Sequence, residues 1–193
     1  MVELNNSVFS YDLARYIFLN PNPSIADFDS REFNHIKPMI KAQLHNEQGG
    51  LCVYCEKKLA KDEGQIEHIK PKSGRTPYPH LCFQYNNYAH SCINNKTCGQ
   101  KKKDGILPIE PKIGCNEQFS LSTDGSIVPI EGLTRREKHK VIQTRDMLGL
   151  NSSILVQDRK KIVTNYTSLL RLNPTMAYDY IKNKEFRYIL KRI

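Results

Sequence analysis

Cys52-Val53-Tyr54-Cys55, followed by Gln65-Ile66-Glu67-His68-Ile69-Lys70-Pro71 and then by Cys92 and Cys98, is the stretch that decides how this chain is read. Two cysteines separated by two residues close a tight knuckle, and Cys92 with Cys98 supplies the second pair that a tetrahedral four-thiolate site needs. The rival reading of a C-x-x-C pair as a redox centre wants a thioredoxin-like βαβ context, which the neighbouring sequence lacks. Zn2+ held by Cys52, Cys55, Cys92 and Cys98 is therefore expected. A closed four-cysteine site leaves no open position for substrate, so its expected role is structural. Cys82 and Cys115 fall outside the pairs and read as core thiols.

Between the pairs, Gln65 to Ile69 has the look of a short strand that ends on an acid and a histidine side by side. Adjacent strand residues point to opposite faces, so Glu67 and His68 can serve one reagent only where the strand ends or bulges.

Upstream of this zone, Ser10 to Asn20 reads as a helix stopped by Pro21 and Pro23. Ser30 to Gln48 reads as a second helix, with Phe33, Ile36, Ile40 and Leu44 on one face and Gly49-Gly50 at its end. Pro38 inside that segment leaves a kink or a later start open. Downstream, Phe119 to Ile130 alternates around Asp124-Gly125, a dipeptide suited to a type I′ hairpin turn. Thr134 with Glu137 forms a capping-box signature for a helix that runs to Gly149. Two more helices are expected, at about Ser153 to Arg171 and Thr175 to Arg192, divided by Asn173-Pro174. Val141, Leu148, Leu155, Ile162 and Leu169 recur at near-helical spacing and suit either a core or a docking face, with core preferred. The expected organisation is one compact unit: N-terminal helices over 1–50, a chemistry-bearing module over 51–112, and a hairpin with C-terminal helices over 113–193.

With 29 Lys and Arg against 20 Asp and Glu, the formal charge is +9 and the partner indicated is a polyanion. No apolar run is long enough for a membrane, and no strongly amphipathic basic helix opens the chain, so nucleic acid is preferred over lipid. Met1 to Asn6 lacks the basic and apolar parts of a secretory signal, which points to a cytoplasmic, reducing setting with free or metal-bound thiols.

Taken in order, Cys52-x2-Cys55, Glu67-His68-Ile69-x-Pro71, Tyr85-Asn86-Asn87-Tyr88, Ser91-Cys92 and Cys98-Gly99-x2-Lys102 resemble the HNH nucleases. The resemblance implies an α+β, mainly helical fold around a ββα-metal module, stabilised by the zinc knuckle and accompanied by a small β-hairpin. It implies that Glu67 is the acidic ligand of a catalytic Mg2+ or Mn2+, His68 the general base, and Asn87 the asparagine that ties the loop and orients the histidine. A neutral imidazole takes a proton from water while a hard cation stabilises the charge on phosphorus and the leaving oxygen. Lys96, Lys101, Lys102 and Lys103 stand where the module's helix begins and are expected to contact phosphates.

One departure is Gly99, where four-cysteine members of the family commonly carry an asparagine or histidine that completes the catalytic metal site. Asn95 is then the first candidate for the missing ligand, with Asn94, His90 and Asp104 as alternatives.

A narrower resemblance covers most of the chain. Leu51-Cys52-x-Tyr54-Cys55-Glu56, the Tyr-Asn-Asn block, Cys98-Gly99, Ile106-x-Pro108-x5-Gly114-Cys115 and the 119–130 hairpin resemble the PtuB nucleases of Septu and retron-associated antiphage systems. It implies an ABC-type ATPase partner, PtuA, and a setting that includes a retron reverse transcriptase and its msDNA, with DNA or RNA as substrate. A zinc-stabilised nucleic-acid-binding or adaptor module without catalysis is the alternative.

Overall fold

The structure, a computed structural model, describes residues 1–5 and 9–193. Its N-terminal layer is α1 (Tyr11–Leu19), a 3-10 turn (Ile25–Asp29) and α2 (Arg31–Glu47). Ser30 fixes the start of α2 by accepting a hydrogen bond from the Phe33 amide at 3.1 Å. The helix runs on through Pro38 to Glu47, so neither a later start nor a break occurs there.

Strands β1 (Gln65–His68) and β2 (Tyr88–Ser91) pair antiparallel, with Glu67 opposite Ala89 and His68 opposite Tyr88. Helix α3 (Cys98–Lys102) follows. Alternation along the strands sends Ile66, His68 and Tyr88 towards the N-terminal layer. Glu67 and Ala89 point the other way, towards the cysteine knuckle and α3. Two buried clusters result, one built from Phe28, Phe33, Phe83 and Tyr88, the other from the knuckle, the hairpin and the C-terminal helices.

The hairpin of β3 (Phe119–Leu121) and β4 (Ile127–Pro129) forms as expected, but with a different turn. A type I′ turn needs positive φ at both central residues. Here Gly125 has φ 90° while Asp124 does not share it, and Ser122 pairs with Ser126 around a three-residue connection.

Helix α4 (Arg135–Met147) carries the expected Thr134–Glu137 capping box, and α5 (Ser153–Leu172) and α6 (Pro174–Lys182) follow it. Val141, Leu148 and Leu155 are buried in the second cluster, with Ile162 and Leu169 packed against it, so the stripe is core. The final helix expected over Thr175 to Arg192 is in fact two, because the chain breaks after Lys182 and resumes as α7 (Arg187–Leu190). Tertiary contacts override the local helix signal. Phe186 is fully buried at φ 61° and donates its amide to the Glu56 carbonyl, while the Glu56 carboxylate accepts the Tyr188 amide at 2.8 Å.

Candidate active site and metal centre

The sulfur atoms of Cys52, Cys55, Cys92 and Cys98 lie within 4.8 Å of one another. Cys52 to Cys98 is 3.7 Å and Cys55 to Cys92 is 3.9 Å. Four thiolates about 2.3 Å from one Zn2+ sit about 3.8 Å apart at the corners of a tetrahedron, so the donor set has the dimensions the ion requires. Burial opposes a thiolate at Cys52, yet the facing Cys55, Cys92 and Cys98 thiols hold it well below the usual range. The same sharing pushes Cys55 and Cys98 up. One thiolate stabilised by three thiols is the protonated counterpart of a four-thiolate cation site, which a divalent ion would deprotonate throughout. Cys82 and Cys115 are buried elsewhere.

The site residues gather around a cavity of about 240 Å³ at the end of β1, lined by Phe28, Glu67, His68, Lys72, Lys103 and Asp104 among others. Glu67 and His68 leave β1 on opposite faces, and both reach the cavity because the strand stops at His68.

The His68 ring meets the Phe28 ring at 4.7 Å and the Tyr88 ring at 5.1 Å. Its Nε2 lies 3.0 Å from the Cys82 carbonyl. A carbonyl only accepts, so Nε2 carries the proton and the lone pair of the neutral ring is on Nδ1. Burial, reinforced by the Lys72, Lys102 and Lys37 charges, pushes the imidazole down to about 4. The ring is therefore neutral at pH 7.

Asn87, at the end of a 3-10 turn, brackets the loop that follows His68. Its Oδ1 accepts the Lys70 amide at 2.8 Å, and its Nδ2 donates to the Lys70 carbonyl at 3.0 Å and the Leu81 carbonyl at 3.2 Å. The Ile69 amide adds a bond to the Asn87 carbonyl.

Glu67 is buried, and Lys102 Nζ lies 3.0 Å from its carboxylate, with the two side chains 1% and 8% exposed. Tyr54 and Gln65 donate to the same carboxylate. Burial raises the Glu67 carboxyl and the Lys102 ammonium opposes that rise. Lys102 also donates to the carbonyls of His68 and Lys103. It is consequently not available for the phosphate contact expected of it, whereas Lys96, Lys101 and Lys103 are exposed.

Gly99 acquires a reason here. A Cβ on it would stand 2.2 Å from a Glu67 oxygen, so the Glu67 carboxylate fills the space where the resemblance expects a ligand side chain. Among the candidates for that ligand, Asn95 and Asn94 are exposed in the loop before Cys98. His90 is buried, bonded to the Glu63 carbonyl and facing His45. Asp104 alone lines the cavity with Glu67 and His68. The Asp104 carboxylate accepts the Arg75 amide at 3.0 Å, and among the described residues the four cysteines are the one group of three or more His, Cys, Asp or Glu whose ligand atoms converge.

Phe28, Lys37 and the Cys82 carbonyl carry no signal in the sequence, and Lys72 is visible there only as part of the Pro71-Lys72-Ser73 run after the motif. Each reaches the site through packing of the N-terminal layer and the 69–82 loop.

A buried acid and a buried histidine thus meet at one cavity, beside four cysteines placed to hold a metal ion. Two curated proteins are similar to this chain. "Retron Vc95 putative HNH endonuclease" of Vibrio cholerae serotype O1 biovar El Tor is 44% identical over 203 aligned positions, covering 100% of this chain and 99% of that protein. "Retron Ec83 putative HNH endonuclease" of Escherichia coli is 27% identical over 103 positions, 51% of this chain and 40% of that protein. No family model matches the chain. The chain belongs to the family of retron HNH endonucleases represented by the Vibrio cholerae protein.

Proposed function

We propose that this protein is a metal-dependent HNH endonuclease that hydrolyses phosphodiester bonds, with DNA the favoured substrate and RNA, tRNA included, the alternative. The observation that carries the reading is His68. Its Nε2 is fixed on the Cys82 carbonyl, its ring is held between Phe28 and Tyr88, and it is neutral at pH 7, so Nδ1 is an oriented proton acceptor beside a carboxylate and several lysines. Zn2+ would be held by Cys52, Cys55, Cys92 and Cys98 and would clamp the knuckle to the start of α3. Glu67 and Asp104 would hold a Mg2+ or Mn2+, which when bound neutralises charge on the phosphoryl oxygens.

His68 Nδ1 takes the proton of a water whose oxygen bonds to phosphorus as the P–O bond to the leaving oxygen breaks, that oxygen taking its proton from solvent, and the imidazolium formed is stabilised through the Nε2–H bond to Cys82. Asn87 keeps the loop after His68 closed so that the ring holds its aim. Lys103, at the cavity, attracts the nucleic acid backbone, and the exposed Lys96 and Lys101, beside Gly149, extend the positive charge of that segment.

The retron names of the relatives support a retron setting, to which the PtuB resemblance adds antiphage defence beside a reverse transcriptase and its msDNA. The PtuB resemblance adds an ABC-type ATPase, PtuA, as the partner that restrains or delivers the nuclease. No helix among the described residues is long and apolar enough to cross a membrane. The pairing of Glu67 with Lys102 and the glycine at 99 favour a second reading, a zinc-stabilised nucleic-acid-binding module without catalysis.

Cleavage of supercoiled plasmid and of total tRNA, with Mg2+ or Mn2+, separates the two. The wild type should cut one substrate and His68→Ala, at equal zinc content, should not. Equal cutting by both removes His68 from the mechanism, and no cutting by either, with the ATPase added, leaves the binding module.

A further inference from the structure

Two lysines from different parts of the chain converge on one aromatic ring beside the proposed general base. Lys37 Nζ, from α2, is 4.2 Å from the Phe28 ring centroid, and Lys72 Nζ, from the loop after β1, is 3.9 Å from it. Both also reach the carboxylate of Asp29, at 2.9 and 3.3 Å. Two like charges repel at such separations, and one carboxylate that is itself 72% exposed balances only half of their charge. The ring and the carboxylate nevertheless hold both ammonium groups in place, so little side-chain freedom remains to be lost when an anion arrives.

The position of this pair gives it meaning. The Phe28 ring that carries the lysines is the ring that packs on His68 at 4.7 Å. Each ammonium therefore lies within about 9 Å of the imidazole, a reach of a few nucleotides at about 3.4 Å of rise each. The lysines also border two adjoining cavities, Lys72 the smaller and Lys37 the larger, which together make a trough. The cavity at His68 shares Phe28, Gln65 and Ile66 with a larger one of about 410 Å³, lined further by Asp29, Asn34, Lys37 and Lys41.

Resting on the nuclease reading, we infer that this trough between the N-terminal layer and β1 is the seat for the nucleic acid backbone next to the cleaved bond. Lys37 and Lys72 take the neighbouring phosphates there. Asp29 is the group the phosphate replaces, holding the lysines in place until then. The layer formed by residues 25–41 is thus part of the substrate site and not only its support.

The test is equilibrium binding of a short fluorescent oligonucleotide, as single-stranded DNA and as the same sequence in RNA, without added divalent ion and across a salt series. Lys37→Gln/Lys72→Gln should weaken binding about tenfold more than Lys160→Gln/Lys161→Gln, a pair on α5 remote from the trough. Its salt slope should fall by about 1.4, the equivalent of two single-strand phosphates. Lys37→Arg/Lys72→Arg should bind within about twofold of wild type, which guards against misfolding as the explanation. Asp29→Asn should bind several-fold more tightly, a gain that a purely structural ion pair would not give.

Equal loss in the two glutamine pairs, or no gain in Asp29→Asn, overturns the inference. Cleavage of the same oligonucleotide with Mg2+ is read separately. Binding that follows the lysines in a protein that never cuts would fault the nuclease reading alone, and cutting with binding indifferent to Lys37 and Lys72 would fault the trough alone. Discrimination between the DNA and RNA versions assigns the sugar.

Discussion

Replacing Gly99 by alanine is the sharpest perturbation of this site, because two physical effects of opposite sign meet at one methyl group. Gly99 lies in α3, where alanine normally stabilises a helix by up to about 1 kcal/mol. Against this, the new Cβ would stand 2.2 Å from the Glu67 carboxylate, which Lys102, Tyr54 and Gln65 hold in a buried setting. Overpacking costs about 1–3 kcal/mol, and loosening a buried ion pair costs about 3–5 kcal/mol, so the clash outweighs the helix gain. We expect Gly99→Ala to destabilise the zinc-loaded protein by roughly 2 kcal/mol in urea unfolding, or roughly 4–8 °C in melting midpoint. The same change in a Glu67→Ala/Lys102→Met background should instead be neutral or stabilising, because the obstructing carboxylate and its counter-charge are both gone. The difference between backgrounds, at least about 2 kcal/mol, is the coupling of residue 99 to the ion pair. A stabilised Gly99→Ala in the wild-type background, or an equal effect in both, would refute the account and leave residue 99 as an open ligand position.

Other expectations follow from the same geometry. The folded His68 ring titrates at about 4, below its unfolded value of 6.5. Protonation therefore favours unfolding: the stability it contributes is complete above about 6.5 and declines until about 4, by about 3 kcal/mol. His68→Gln should accordingly lose about 3 kcal/mol less between pH 7 and pH 4 in denaturant melts, and parallel curves would contradict the burial assigned to the ring. One equivalent of zinc per chain should be found by mass spectrometry. Cys98→Ser or chelation should remove it and lower the melting midpoint by on the order of 10 °C or more, while retention of full stability would exclude a structural metal. Arg159 is buried and donates to the Gly125 and Leu150 carbonyls at 2.7 Å each. Arg159→Lys, which lacks the planar fork, should lose about 2–3 kcal/mol in urea unfolding, and a change below about 0.5 kcal/mol would show those bonds to be dispensable.

What the sequence determined by itself is local or patterned. Cysteine spacing announced a four-thiolate centre because metal ligation tolerates few arrangements. Caps, prolines and glycines placed α1, α2, α4 and α5 within a residue or two, since they act on the backbone at short range. The adjacency of Glu67 and His68 and the position of Asn87 were likewise visible as a motif. What only the tertiary structure decided depends on groups distant in sequence. The final helix breaks at Phe186 because Glu56, far upstream, binds the amides there. Lys102 leaves the row of exposed lysines because Glu67 is buried across from it, and Gly99 leaves the space that the same carboxylate fills. Lys37 and Lys72 join the site because Phe28 packs on His68. Linear spacing cannot report these contacts, because burial and the facing of charges arise only when separate segments share one core.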